Sequence, residues 1–185
     1  LEKLYDICKK AREELTGDYC VGRVIARPFT TINNKFVRTN DRKDFSVKPF
    51  GKLITDKLSD KGYDVIGIGK IEDIICFQGL TESYHTHTNE EGLNKTIEIA
   101  KRKFDGFVFV NLVETDSLYG HRNDAIGYAG ALNRIDEKIP EIISAMYKED
   151  ILIITADHGC DPRPPVTDHT REYVPLIVYG SELKK

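Results

Sequence analysis

Residues 151–180, ILIITADHGCDPRPPVTDHTREYVPLIVYG, hold the densest set of side chains that can do chemistry. Asp157 and His158 follow directly on the β-branched run Ile151–Thr155. Asp168-His169-Thr170 stand before a second apolar run, Val174–Val178. Neighbouring side chains on an extended or turning backbone diverge, so Asp157 and His158 can serve two different ions. Carboxylate plus imidazole is a hard-to-borderline donor set that suits Mn²⁺, Zn²⁺, iron or Mg²⁺. The plain alternative is a polar loop whose Asp and His side chains cap turns.

A second stretch, FVFVNLVETDSLYGHR at 107–122, repeats the arrangement: an apolar run, Phe107–Val113, and then Asp116 and His121. Together the two stretches offer Asp116, His121, Asp157, His158 and His169. That is too many ligands for one zinc with an open position. It is most of a two-metal site of the kind that clamps an in-line phosphoryl transfer. His85 and His87 also alternate, in ESYHTHTNEEG, but no carboxylate is spaced to complete a set, and a polar loop explains them.

Positioning these residues calls for an α/β fold. The runs at Ile151 and Phe107 are too short for helices and predict buried strands of a parallel sheet. The carboxyl edge of such a sheet is where ligands bind. Tyr63–Gly69 predicts a third strand, with Lys70 just beyond it. Gly67-x-Gly69-Lys70 is too short for a phosphate-cradling loop. Apolar periodicity predicts helices over 2–15, 52–61 and 93–103. Another runs from Asp124 to Pro140, where proline must kink or break it, and resumes over Glu141–Tyr147. Gly22–Ala26 predicts a short strand and Ile71–Phe77 a further extended segment; residues 30–48 read as polar and irregular. The strand-helix alternation indicates a mostly parallel sheet flanked by helices. Lys48-Pro49-Phe50-Gly51 reads as a hinge between residues 1–47 and 48–185.

Composition removes several function classes. A net charge of −3 over 185 residues gives no electrostatic case for nucleic acid or for a membrane surface. No apolar run approaches the roughly 20 residues of a membrane span, and the N-terminus shows no secretion signal. Cys8, Cys20, Cys76 and Cys160 lack Cys-x-x-Cys spacing and read as reduced thiols of a cytosolic protein. Cys160, inside the metal loop, reads as a small filler.

TADHGxDP, TDHTREYVPLIVYG and NLVETDSLYGHR resemble the C-terminal motifs of the phosphopentomutase family, which belongs to the alkaline phosphatase-like metalloenzymes. GRVIARPF (22–29), FVRTNDRKDF (36–45) and DVIGIGKIEDI (64–74) resemble the same family in order and spacing. The metal motifs alone indicate the superfamily, and the RVIARPF and RTNDRKD blocks narrow it to the mutase. The resemblance implies an alkaline phosphatase-like α/β core over 48–185 and the C-terminal part of an α/β cap domain over 1–47. It implies two Mn²⁺ ions held by Asp116, His121, Asp157, His158 and His169, and a phosphorylated threonine nucleophile. It also implies a sugar bisphosphate activator and a pentose phosphate substrate whose 5-phosphate is held by Arg23 and Arg38, with Arg27 and Arg42 less firmly placed.

The threonine nucleophile and an N-terminal aspartate ligand fall outside the part of the family that this chain resembles. The chain starts at Leu1 and its only methionine is Met146, so a piece of a longer enzyme is expected. Departures from the family pattern are few: Glu114-Thr115, Cys160 and Arg163-Pro164-Pro165, none at a metal position. A sister enzyme, such as a metal-dependent phosphoglycerate mutase or a phosphatase, leaves the RVIARPF and RTNDRKD blocks unexplained. A non-catalytic metal-binding fragment is the other alternative. Residues 1–185 alone, incubated with ribose 1-phosphate and Mn²⁺, are expected to give no ribose 5-phosphate; metal-dependent turnover by this polypeptide would overturn that.

Overall fold

The computed structural model describes residues 1–39, 41–163 and 167–183, so Asn40 of the RTNDRKD block and the Pro164-Pro165 variation lie outside the described residues. The chain opens with the amphipathic helix α1 (Glu2–Glu14), as its periodicity predicts. α1 packs on β1 (Arg23–Ala26). Residues expected to be irregular instead form strands: β2 (Phe29–Ile32), β3 (Lys35–Arg38) and β4 (Lys43–Ser46). The signal was present, because Asn33 and Asn34 both take positive φ, at 49° and 58°. Two such residues make the two-residue turn whose twist suits a hairpin, here β2–β3. β1 pairs antiparallel with β4, setting Arg23 opposite Ser46 and Ile25 opposite Asp44.

α2 (Ile54–Ser59) begins where the Asp56 carboxylate accepts a 2.7 Å hydrogen bond from the Leu53 N–H. β5 (Asp64–Ile68) follows, buried from Val65 onward. The run over 71–77, expected to be extended, forms the short helix α3 (Ile71–Ile75). Ile71 and Ile75 lie one turn apart and both are buried, while Glu72 and Asp73 occupy the first turn, where acids suit the helix dipole. β6 (Glu82–Tyr84) and β7 (Gly106–Val110) flank β5 in parallel, making a three-stranded sheet β6-β5-β7. Between them runs α4 (Asn89–Ala100), capped by Thr88 Oγ1 accepting from the Glu91 N–H at 3.2 Å. Ile66 and Ile68 of β5 pack on Ile99 of α4, with Val108 and Val110 of β7 alongside.

α5 (Ala125–Ala145) runs on through Pro140 as one helix, where a kink or a break is expected. Ile135, Ile139 and Ile142 pack with Leu93 and Ile97 of α4, so the apolar stripe on both sides of the proline is held by the same neighbour. Pro140 faces solvent, where water can satisfy the carbonyl that its missing N–H releases. β8 (Leu152–Thr155) and β9 (Leu176–Tyr179) close the chain as an antiparallel pair. The buried parallel strand expected at 151–155 is thus an exposed-edged ribbon: Ile153 is 59% and Leu176 73% exposed. No helix of the described residues is long and apolar enough to cross a membrane, and all four cysteines are free.

The end of α4 is fastened to β6 by charge. Arg102 donates two hydrogen bonds to the Glu82 carboxylate, at 2.8 and 2.6 Å, and the Tyr84 hydroxyl donates a third at 2.6 Å. Arg102, and then Tyr84, hold the Glu82 carboxyl down to about 2. A carboxyl lowered on folding stabilises above its ordinary pKa and loses that contribution as pH falls toward the folded value. Glu82→Gln is therefore expected to lower Tm at pH 7 by roughly 2–4 °C, the scale of about 1 kcal/mol in a domain of this size. The gap to the parent should close as the melts are repeated from pH 4.5 toward 2; a gap constant with pH would contradict the assignment.

Candidate metal centre

Asp116 and His121 lie just past the carboxyl end of β7, Asp116 in a π-type turn (Thr115–Tyr119) and His121 in the tight helical turn Gly120–Arg122. The coiling brings His121 Nε2 to 3.2 Å from Asp116 Oδ1. A Cβ on Gly120 would stand 2.4 Å from Cys160 Sγ, so only glycine lets the two loops close together. The second loop is folded by an isolated antiparallel bridge between Gly159 and Thr170. The Thr170 N–H donates to the Gly159 carbonyl at 2.8 Å, and the Asp161 N–H donates to Thr170 Oγ1 at 3.2 Å. That bridge brings together His158 and His169, residues far apart in the loop, until their rings stack at 3.5 Å between centroids and 14° between planes. His121 also stacks on His169, at 5.0 Å and 27°.

Asp116, His158 and His169 each bring one ligand atom to a common place, all within 4.8 Å of one another. His169 Nε2 is 3.3 Å from Asp116 Oδ1. The imidazole tautomers are set by backbone: His121 Nδ1 faces the Thr167 carbonyl, and His158 Nδ1 faces the Gly159 carbonyl at 3.1 Å. A proton on Nδ1 donating to a carbonyl leaves the Nε2 lone pair for a metal, the orientation that ligating histidines adopt. Asp116 Oδ1 itself is buried and accepts no hydrogen bond in the structure. A shielded carboxylate oxygen with no hydrogen-bond donor is an unfavourable arrangement that a cation relieves. The donor set and the orphaned oxygen therefore fit a divalent ion.

The other sequence-nominated residues sit differently. Asp157 is exposed, with Oδ1 3.6 Å from His158 Nε2, so it lies beside His158 and outside the convergent trio. Cys160 fills space beside Gly120; burial, and then Asp116, Asp161 and Glu172, raise its thiol pKa and keep it protonated. His85 and His87 contact each other edge to face at 5.1 Å, and the His85 ring is 3.5 Å from Glu72, away from the trio. Arg38, at the end of β3, is exposed and makes no ion pair among the described residues. Arg23 reaches Asp44 at 3.5 Å, and Arg42 forks onto the same carboxylate with two 2.9 Å hydrogen bonds.

Lys70 is expected from the sequence only as a residue at a strand end. It stands past the carboxyl end of β5, beyond Gly69, whose φ of +82° and close approach to the Asn111 carbonyl require glycine. Burial, and then the Arg42 guanidinium, push the ammonium pKa down; Asp116, Asp44 and Asp73 act in the opposite direction. A half-buried cation is thus within electrostatic reach of both Asp116 and the Arg42–Asp44 cluster. Its signal in the sequence was position alone: the first charged residue after a buried parallel strand.

The chain belongs to the Metalloenzyme superfamily, whose profile matches residues 41–185. Among curated relatives it is similar to a phosphopentomutase of Caldanaerobacter subterraneus subsp. tengcongensis, 56% identical over 185 residues, which are the whole chain and 47% of that protein. It is also similar to phosphopentomutases of Acetivibrio thermocellus, 53% identical over 184 residues and 47% of that protein, and of Carboxydothermus hydrogenoformans, 53% over 185 residues and 48%. The chain thus spans about half the length of the curated relatives it matches.

Removing one of the convergent ligands is expected to weaken divalent-metal binding at least tenfold, the lower range for disturbing a metal shell. His169→Ala should do so in a competition titration against a chromophoric chelator, while His87→Ala leaves the affinity unchanged. Equal losses from both variants would contradict the placement of the site.

Proposed function

We propose that the protein carrying these residues is a phosphopentomutase, an isomerase that interconverts ribose 1-phosphate and ribose 5-phosphate and their 2-deoxy forms. The observation that carries this reading is the identity of 53–56% to phosphopentomutases along the whole chain. The convergence of Asp116, His158 and His169 supports it, because phosphoryl transfer needs a divalent ion at the reacting phosphate. In this reading residues 1–47 are the C-terminal part of a cap, 48–185 belong to the metal-binding core, and the enzyme works in the cytoplasm in nucleotide salvage.

Asp116, His121, Asp157, His158 and His169 would hold two Mn²⁺ ions. When bound, the ions lower the pKa of a threonine hydroxyl supplied from outside these residues and offset charge on the transferring phosphoryl group. The chain's own side chains do the positioning. His121 and His158 keep Nε2 free of a proton through the carbonyls at Nδ1. Arg23 and Arg38 hold the phosphate that is not reacting, for which the forked guanidinium is suited. Lys70, half-buried and within electrostatic reach of Asp44 and Asp116, would add positive charge for the sugar phosphate. Holding the distal phosphate while the sugar turns lets either oxygen meet the phosphothreonine, with a sugar bisphosphate as activator.

Product analysis tests the reading. The intact protein, given ribose 1-phosphate and Mn²⁺ and followed by ³¹P NMR, is expected to form ribose 5-phosphate without inorganic phosphate. Accumulation of inorganic phosphate would make it a hydrolase of the same superfamily. Asp116→Asn should lower turnover by roughly a hundredfold or more, as loss of a group that stabilises transition-state charge does.

A further inference from the structure

Asp44 is the least exposed member of a charged cluster on the β1–β4 ribbon. Its side chain is 11% exposed, against 55% for Arg23 and 43% for Arg42. Strand register explains why the three meet. Ile25 is opposite Asp44 and Arg23 is opposite Ser46, so Arg23 and Asp44 are diagonal neighbours on one face of the ribbon. Arg42 precedes Asp44 by two residues and so shares that face. Arg42 commits Nε and Nη2 to the carboxylate at 2.9 Å each, which is the bidentate fork. Arg23 commits only Nη1, at 3.5 Å, and its Nε and Nη2 are uncommitted among the described residues. α3 packs against β4 and follows directly on Lys70. The cluster is therefore next to the carboxyl edge of the parallel sheet, on which Asp116 also lies.

A carboxylate seated under two guanidinium groups does two opposing things to an incoming phosphate. It cancels positive charge, which weakens attraction. It also fixes the side chains, so that the order of Arg23 is established before the ligand arrives. We propose that Asp44 is a positioning residue for phosphate recognition: it locks Arg42 with a bidentate fork and tethers Arg23 so that the free edge of Arg23 is presented to the sugar phosphate. The proposal rests on the reading that Arg23 receives the distal phosphate. Arg42 is assigned a supporting part, since its fork is already occupied by Asp44.

The two effects of Asp44 predict opposite signs, which makes the proposal testable. Asp44→Asn adds net positive charge to the cluster. If charge alone mattered, KM for ribose 5-phosphate would fall. Positioning predicts that KM rises by roughly tenfold while kcat stays within about twofold, the signature of lost binding rather than lost chemistry. The measurement is steady-state kinetics of the intact protein with Mn²⁺, on the parent, Asp44→Asn, Arg23→Ala and the double variant. If Asp44 acts through Arg23, the double variant has the KM of Arg23→Ala, because neighbours acting as a unit are not additive. A KM for Asp44→Asn that falls or stays within twofold of the parent, while Arg23→Ala raises it, overturns the proposal and leaves the role of Arg23 standing. Full additivity in the double variant overturns it also, since Asp44 would then act independently of Arg23. An unchanged KM for Arg23→Ala overturns the phosphate role of Arg23 and the proposal with it. Melting curves accompany each variant. If Asp44→Asn does not fold, Asp44→Glu replaces it, keeping the charge but displacing it by one methylene, and is read against the same outcomes.

Discussion

The buried Oδ1 of Asp116 is the constraint around which the rest of the structure is arranged. It accepts no hydrogen bond, and two imidazole Nε2 atoms face it at 3.2 and 3.3 Å. A shielded acceptor without a donor costs on the order of 1–3 kcal/mol, and more when it is charged. The protein meets that cost in order to keep lone pairs, rather than protons, aimed at one point. The Thr167 and Gly159 carbonyls face Nδ1 of His121 and of His158, which leaves the Nε2 of each for a metal. A divalent cation reconciles these groups, which is why the orphaned atom is a better guide to function here than any cavity.

Two quite different devices bring the ligands together. Asp116 and His121 are placed by the parallel sheet: β7 is held in register with β5, and the turns beyond its carboxyl end carry both residues. His158 and His169 are placed by the Gly159–Thr170 bridge, which closes the loop between β8 and β9. Gly120 against Cys160 is one of the points where the two devices touch. The sheet supplies rigidity and the bridge supplies reach, so the centre depends on a small number of backbone contacts as much as on the ligands. The charged face of the β1–β4 ribbon adds a second polarity, and Lys70 feels both Asp44 on that face and Asp116.

Much of this was legible in the residues. The apolar runs of β5 and β7, the helices α1, α2 and α4, and the convergence of Asp116, His158 and His169 follow from strand length, helical spacing and the placement of Asp and His past strand ends. What escaped had physical reasons. β2 and β3 carry no alternating buried face, since every residue in them is exposed, so periodicity was silent and only Asn33-Asn34 announced the hairpin. α3 is short enough that its apolar residues look like a strand until the buried pair Ile71 and Ile75 is noticed. Pro140 was read by its local effect, whereas the packing of Ile139 and Ile142 on α4 determines the outcome. β8 has the composition of a buried parallel strand but pairs antiparallel with β9, because pairing depends on a partner that lies a loop away. Asp157, expected to serve a second ion, lies beside His158 and outside the convergent trio.

The account stands or falls on where the cation binds. Crystals of the intact protein grown with Mn²⁺ and measured for anomalous scattering at the manganese edge test it directly. The account predicts an anomalous peak within bonding distance of Asp116, His158 and His169. A manganese-loaded crystal whose peaks avoid all three residues would contradict it.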